Sequence, residues 1–242
     1  MKRITGTHVY SYAKCPRLAA LDLSQRRDQR REPTPWEQFA IQRGRDFEAE
    51  LVAKLGVVAP SYPERDFDRG AEATLALMRR GTPLVHQGVL ASADRLGLPD
   101  LLRKLDGASA LGDHHYEVID IKSSGRPRSD QILQVVFYSR LLADVQGRMP
   151  EHGALILKNG NEERFLIADY VAVESEVERE LAELRRQGVL LGRCDARLGR
   201  DAEPVAEAGQ QGLVDLRNRR CAAEQRLERG DTVLRRVEVA LL

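Results

Sequence analysis

The chain reads as one α/β domain with a helical C-terminal extension. Three observations predict this. Apolar residues recur at helical spacing over 36–55, 130–145 and 173–184. Runs with strand character stand between them at 84–90, 98–105 and 116–124. Finally, Asn159-Gly160 separates two apolar runs, the strongest short-range sign of a β-hairpin. The domain is assigned to residues 1–190 and the extension, of no identified role, to 191–242.

The elements follow in chain order. Residues 7–23 read as a short amphipathic helix, followed by the basic cluster Arg26, Arg27, Arg30 and Arg31. A second helix opens at Thr34-Pro35-Trp36-Glu37: Thr34 suits the N-cap, Pro35 the first helical position and Glu37 the capping-box return. Trp36, Phe39, Ala40, Phe47, Leu51 and Leu55 form its apolar stripe, with Gly56 as the stop. Glu48 borders that stripe. A short helix is expected over 71–80, ended by Gly81. The period then changes to strands at 84–90, 98–105 and 116–124, the last carrying Val118, Ile119 and Ile121. A Gly/Pro turn over 123–129 leads into a helix at 130–145. The hairpin at 154–168 and a helix marked by Val173, Val177, Leu181 and Leu184 complete the domain.

Composition bounds the function. The chain has 242 residues, 42% hydrophobic and 31% charged, which excludes a collagen-like or wholly disordered polymer. No apolar run approaches the roughly 18 residues that cross a bilayer, so no membrane association is expected. Lys14, Arg17 and Asp22 interrupt the start, so no secretory signal is expected either. Three widely spaced cysteines, Cys15, Cys194 and Cys221, suit a reducing, cytoplasmic setting. The net charge of +1 excludes a strongly basic coat, yet residues 1–45 hold ten Lys/Arg against four Asp/Glu.

The chemistry concentrates in two strands. Residues two apart in a strand share a face, so Asp120 and Lys122 project together while Ile119 and Ile121 point oppositely into the core. Asp100 ends the preceding Gly97-Leu98-Pro99-Asp100 run, and an antiparallel return brings it beside Asp120. Two converging carboxylates repel unless a cation neutralises them, and hard oxygen donors select Mg²⁺ or Mn²⁺. An ammonium at that site orients a water and steadies negative charge. On the next helix Gln134 and Tyr138, four apart, share a face, with Gln131 nearby.

These residues resemble the PD-(D/E)XK nuclease superfamily, and within it the RecB-like branch. Pro99-Asp100 with Asp120-Ile121-Lys122 is similar to the eponymous signature, Gln134 with Tyr138 to the Q-x-x-x-Y motif, and Ser11 to Arg17 to the CPR-containing start of CRISPR-associated relatives. Residues 44–48 resemble the first helical motif, with Glu48 where a His is usual. The resemblance covers about residues 4–170. It implies a restriction-endonuclease-like core, a mixed sheet flanked by helices, and Mg²⁺- or Mn²⁺-dependent DNA cleavage leaving a 5′-phosphate. Asp100, Asp120 and Glu48 then hold the ion, the Ile121 carbonyl joins them, Lys122 serves the water, and Gln134 and Tyr138 position the lysine or the DNA. A helicase or other repair protein in trans is an expected partner. Iron–sulfur members carry three further C-terminal cysteines; only Cys194 and Cys221 stand there, so no cluster is expected.

Arg126, Arg128, Arg27 and Arg30 are candidate grips on DNA phosphate, the alternative for each being a solvated face. Glu117 falls on the face opposite Asp120, which suggests a surface or supporting role. Cys15 reads as a small buried residue, and the five histidines show no ligand spacing. The rival reading is a cleavage-incompetent DNA-binding or scaffolding module that keeps the fold.

Overall fold

The computed structural model describes residues 2–23 and 32–197. Strand β1 (Ile4–Thr5) runs into α1 (Gly6–Lys14), followed by α2 (Pro16–Leu23), α3 (Pro35–Val52) and α4 (Phe67–Arg79). Next come β2 (Leu84–His86), β3 (Leu90–Ala91), β4 (Arg95–Gly97), β5 (Leu101–Ser109) and β6 (Gly112–Ile121). Helix α5 (Ser129–Gln146), the hairpin β7 (His152–Ile156) and β8 (Glu162–Leu166), and α6 (Val171–Arg197) follow. No described helix is long and apolar enough to cross a membrane.

The strands make a five-stranded sheet ordered β2-β5-β6-β7-β8 and a small sheet ordered β1-β4-β3. In the large sheet only β6 and β7 are parallel, because α5 carries the chain across between them. The β7–β8 hairpin closes at Asn159-Gly160, where Gly160 takes a φ of 81° and Leu157 N–H donates to the Asn161 carbonyl. That turn behaves as its sequence dictates.

Helix α5 organises the core. Its segment SDQILQVVFYSRLLADVQ is apolar around most of its circumference, and twelve of its eighteen residues are buried. Leu102, Tyr116, Val118 and Leu155 on one sheet face join Ile132, Val135, Val136 and Phe137 of α5 in the main cluster, which extends to Val9 of α1 and Leu181 of α6. Each such side chain contributes about 1.5–3 kcal/mol. Alternate strand residues meet a smaller cluster on the other face. There Leu101, Ile119, Ile121 and Ala154 pack against Phe47, Leu51 and Val52 of α3. Away from α3 that face is closed by ions: Glu117, 1% exposed, accepts from Arg103 Nε at 2.7 Å and from Arg164 Nη2 at 2.8 Å, and Arg103 reaches Glu162 at 2.6 Å.

Several expectations are corrected. The first helix is two, because Cys15 leaves the helical region (φ −161°, ψ 110°) ahead of Pro16, which also leaves Cys15 exposed. The run 84–90 divides between the two sheets, since Gln87 turns the chain in the left-handed region with φ 47°. The strand expected from residue 98 starts at Leu101, after Pro99. Trp36 and Phe39, placed in a buried stripe, are 75% and 51% exposed. Glu117 faces away from Asp120 as anticipated, yet it is buried and neutralised by two arginines rather than lying at the surface. Arg27, Arg30 and the chain after Arg197, including Cys221, lie outside the described residues. The backbone of α6 runs through the 190/191 boundary.

Candidate functional site

Register brings the two aspartates together. Leu101 pairs with Ile119 in the β5–β6 ladder, so the next residue pair outward is Asp100 with Asp120. The Asp100 amide lies 3.4 Å from Asp120 Oδ1, and Asp100 Oδ2 accepts the Ile121 N–H at 2.7 Å. Thus the amide of Ile121 serves the acid pair, a role separate from the ligand role expected of its carbonyl. Asp120 is 1% exposed, and its buried Oδ2 is met by an ammonium rather than by a neutral donor. The Lys122 ammonium stands 2.6 Å from it, with the Asp100 carboxyl as a second close charge.

Lys122 starts a relay into α5. Its Nζ donates to Gln134 Oε1 at 3.1 Å, and Gln134 Nε2 donates to the Tyr138 hydroxyl at 3.0 Å. Asp120, Lys122 and Val118 share the sheet face that α5 covers, which is why a helical i, i+4 pair can reach a strand lysine. Tyr138 itself is clamped. An added Cβ on Gly6, at the start of α1, would overlap its ring and hydroxyl, and one on Gly97 of β4 would stand 2.9 Å from Cδ1. These two glycines are required by close approach, and they were not singled out as such in the sequence. Gly97, two residues before Pro99-Asp100, carried the only hint.

The electrostatics follow from burial. Desolvation, reinforced by the Asp120 charge, holds the Asp100 carboxyl well above the usual carboxylate range. Burial pulls Lys122 down, but Asp120 and Asp100 outweigh it and leave the ammonium raised, hence protonated at neutral pH. Burial and the same two acids push Tyr138 well above its ordinary value, so its hydroxyl stays neutral. The site therefore combines two adjoining carboxyls, that of Asp100 raised, with a protonated ammonium and a neutral polar relay. Such a set can hold a hard cation, bind a phosphate oxygen and orient a water.

Glu48 reaches the neighbourhood of the aspartates from α3. Helix α3 packs on the opposite sheet face, and Glu48 Oε1 accepts from Gln87 Nε2 at 3.3 Å and stands 3.6 Å from His86 Nε2. Gln87 links the two sides, since its N–H donates to the Asp100 carbonyl at 2.9 Å. Among the described residues no three His, Cys, Asp or Glu side chains form a ligand group. His86 and Gln87 were missed as neighbours because only the β2–β5 pairing places them there. Arg128 is committed to Asp130 at 3.1 Å, whereas Arg126 is exposed and has no carboxylate partner among the described residues. Gln131 serves the turn, hydrogen-bonded to Ser124 Oγ.

Among known proteins, no family model and no curated protein matches this chain.

Proposed function

We propose that the chain is a metal-dependent nuclease that hydrolyses DNA phosphodiester bonds, with a PD-(D/E)XK core of the RecB-like kind. One observation carries the reading: residues scattered from 100 to 138 form a continuous chain from Asp100 through Asp120, Lys122 and Gln134 to Tyr138. The order β2-β5-β6-β7-β8, with one parallel step after the acid-bearing strand, supports the same core.

The donor set suits a divalent cation. Two carboxylates stand side by side, Asp120 buried and Asp100 partly so, with the Lys122 ammonium on Asp120, and further positive charge between them relieves their repulsion. Asp100 and Asp120 hold the ion in this reading, with the Ile121 carbonyl, and Glu48 joins from α3 by giving up its hydrogen bond to Gln87. Mg²⁺ or Mn²⁺, when bound, supplies Lewis-acid stabilisation of the charge that develops on the phosphate. Protonated Lys122 cannot remove a proton; it donates, orienting the water and steadying the negative transition state. Gln134 and Tyr138 position that ammonium: Gln134 accepts from it and is itself fixed by the phenol. Arg126, beside the strand end, meets the DNA backbone.

End-labelled single strands, duplexes and closed circles incubated with Mg²⁺, Mn²⁺ or EDTA test this. Metal-dependent product that EDTA abolishes is the expected result. DNA binding without product in either metal would replace the reading with a scaffolding module.

A further inference from the structure

We propose that the N-terminal half of α3 is a stacking platform for unpaired nucleobases, feeding single-stranded nucleic acid toward Asp100 and Asp120. The stacking surface stands on its own geometry; only the fate of the strand at its far end rests on the nuclease reading.

Helix α3 has no buried residue. Its first turns present Trp36 at 75%, Phe39 at 51% and Ile41 at 50% exposure. The Trp36 and Phe39 rings lie 5.8 Å apart at 32°, and the Arg43 guanidinium stands 5.8 Å from the Phe39 centroid. An aromatic pair continued by a guanidinium offers π faces in series, which is what successive bases stack on. Arg43 and Arg45 are exposed, and among the described residues neither has a carboxylate partner, so both are available to phosphate. Glu37, the acid between the rings, is drawn into the capping box with Thr34. A protein helix docking here would want apolar residues at positions 36, 40, 43 and 47; Arg43 interrupts that seam.

The helix also points the right way. A Cβ added at Gly44 would stand 3.8 Å from Ser123 Oγ, so α3 crosses beside the residue that follows Lys122. Glu48, one turn further, touches the Gln87 that is bonded to Asp100. From Trp36 to Glu48 the helix rises about 18 Å, room for a few nucleotides. A duplex keeps its base faces covered and cannot use these rings, so the platform selects unpaired strands.

Trp36 is the single tryptophan of the chain, which makes its emission a direct reporter. The full chain is titrated in EDTA with a fluorescein-labelled oligothymidylate, following both Trp36 emission and label anisotropy. Saturable quenching is expected, with a blunt duplex competing poorly. Phe39→Ala should weaken binding roughly 5- to 100-fold, the loss of one stacked base, with unchanged helical circular dichroism. Equal binding of duplex, or a Phe39→Ala affinity equal to the parent's, overturns the platform even if Mg²⁺-dependent cleavage is found. Strand binding that Phe39→Ala abolishes, with no cleavage in Mg²⁺ or Mn²⁺, supports the platform and overturns the nuclease reading instead. Emission insensitive to the oligonucleotide, together with a dimer that Phe39→Ala dissolves, identifies a protein-docking face and also overturns the proposal.

Discussion

Helices α3 and α5 are each eighteen residues long and flank opposite faces of one sheet, yet α5 buries twelve residues and α3 none. The contrast is one of composition around the circumference. Helix α5 is apolar on nearly every side, so it is enclosed by sheet, α1 and α6. Helix α3 carries an apolar stripe, but Glu48, Glu50 and Asp46 share its second half with Phe47 and Leu51, and only that half touches the sheet. The two sides of the candidate site therefore differ in kind. Lys122, Gln134 and Tyr138 are held by a packed wall, whereas Glu48 rests on a wall that stands largely in solvent.

Changes on the packed side should be the costly ones, and Lys122→Ala heads the order. It is expected to lower cleavage by roughly 10³-fold, about 4 kcal/mol of transition-state stabilisation, with the fold retained. Steady-state rates on labelled DNA, alongside thermal melting, check it, and unchanged turnover would remove Lys122 from the chemistry. Next, truncating one phenylalanine on each helix compares the walls directly. Phe137→Ala should cost about 3–5 kcal/mol in urea unfolding. Phe39→Ala should stay within about 0.5 kcal/mol, and equal losses would mean that α3 is covered after all.

The packed side also carries a titration. Glu174 of α6 is fully buried, has an oxygen with no hydrogen bond, and meets Arg140 of α5 through the other. Burial pushes its carboxyl up from 4.5 to about 7, against the pull of Arg140. Between those values the unfolded chain has released the proton and the folded chain keeps it. This group's stabilisation is therefore complete below pH 4.5 and lost as pH rises through about 7, on the order of 3 kcal/mol in all. Glu174→Gln should flatten that slope in unfolding measured across pH 4.5–8; a slope left intact would place its origin elsewhere.

Glycine replacements close the series. Gly6→Ala drives a methyl into Tyr138 and should cost about 1–3 kcal/mol while also lowering turnover. Gly44→Ala meets only Ser123 and should stabilise α3 by about 0.5–1 kcal/mol. Paired melting curves and rates separate the two. Should Gly44→Ala prove the more damaging, the assignment of rigid and open walls is reversed.

Local signals were legible where the physics is local. The capping box at Thr34 and Glu37, the Asn159-Gly160 hairpin and the shared face of Asp120 and Lys122 each depend on neighbours within a few residues. The stripe of Trp36 and Phe39 was misplaced because periodicity reports that a face is apolar, not that anything covers it. Cys15, expected buried, is exposed, and of the surface and supporting roles open to Glu117 the surface one is removed: exposure depends on which distant element arrives, and Glu117 is enclosed because Arg103 and Arg164 arrive with it.

By itself, then, the order of residues determined which elements form, which side chains share a face, and that Asp100, Asp120, Lys122, Gln134 and Tyr138 belong to one polar set. Tertiary structure alone decided that Gln134 grips the lysine, that Gly6 and Gly97 make room for the phenol, and that Glu48 lies across the sheet beside His86 and Gln87. Helix and strand period act over a handful of bonds and are written in the chain. Contacts between residues far apart in the chain, such as Glu48 with Gln87 or Gly6 with Tyr138, arise only when the sheet pairs and α5 packs, and no local pattern encodes them.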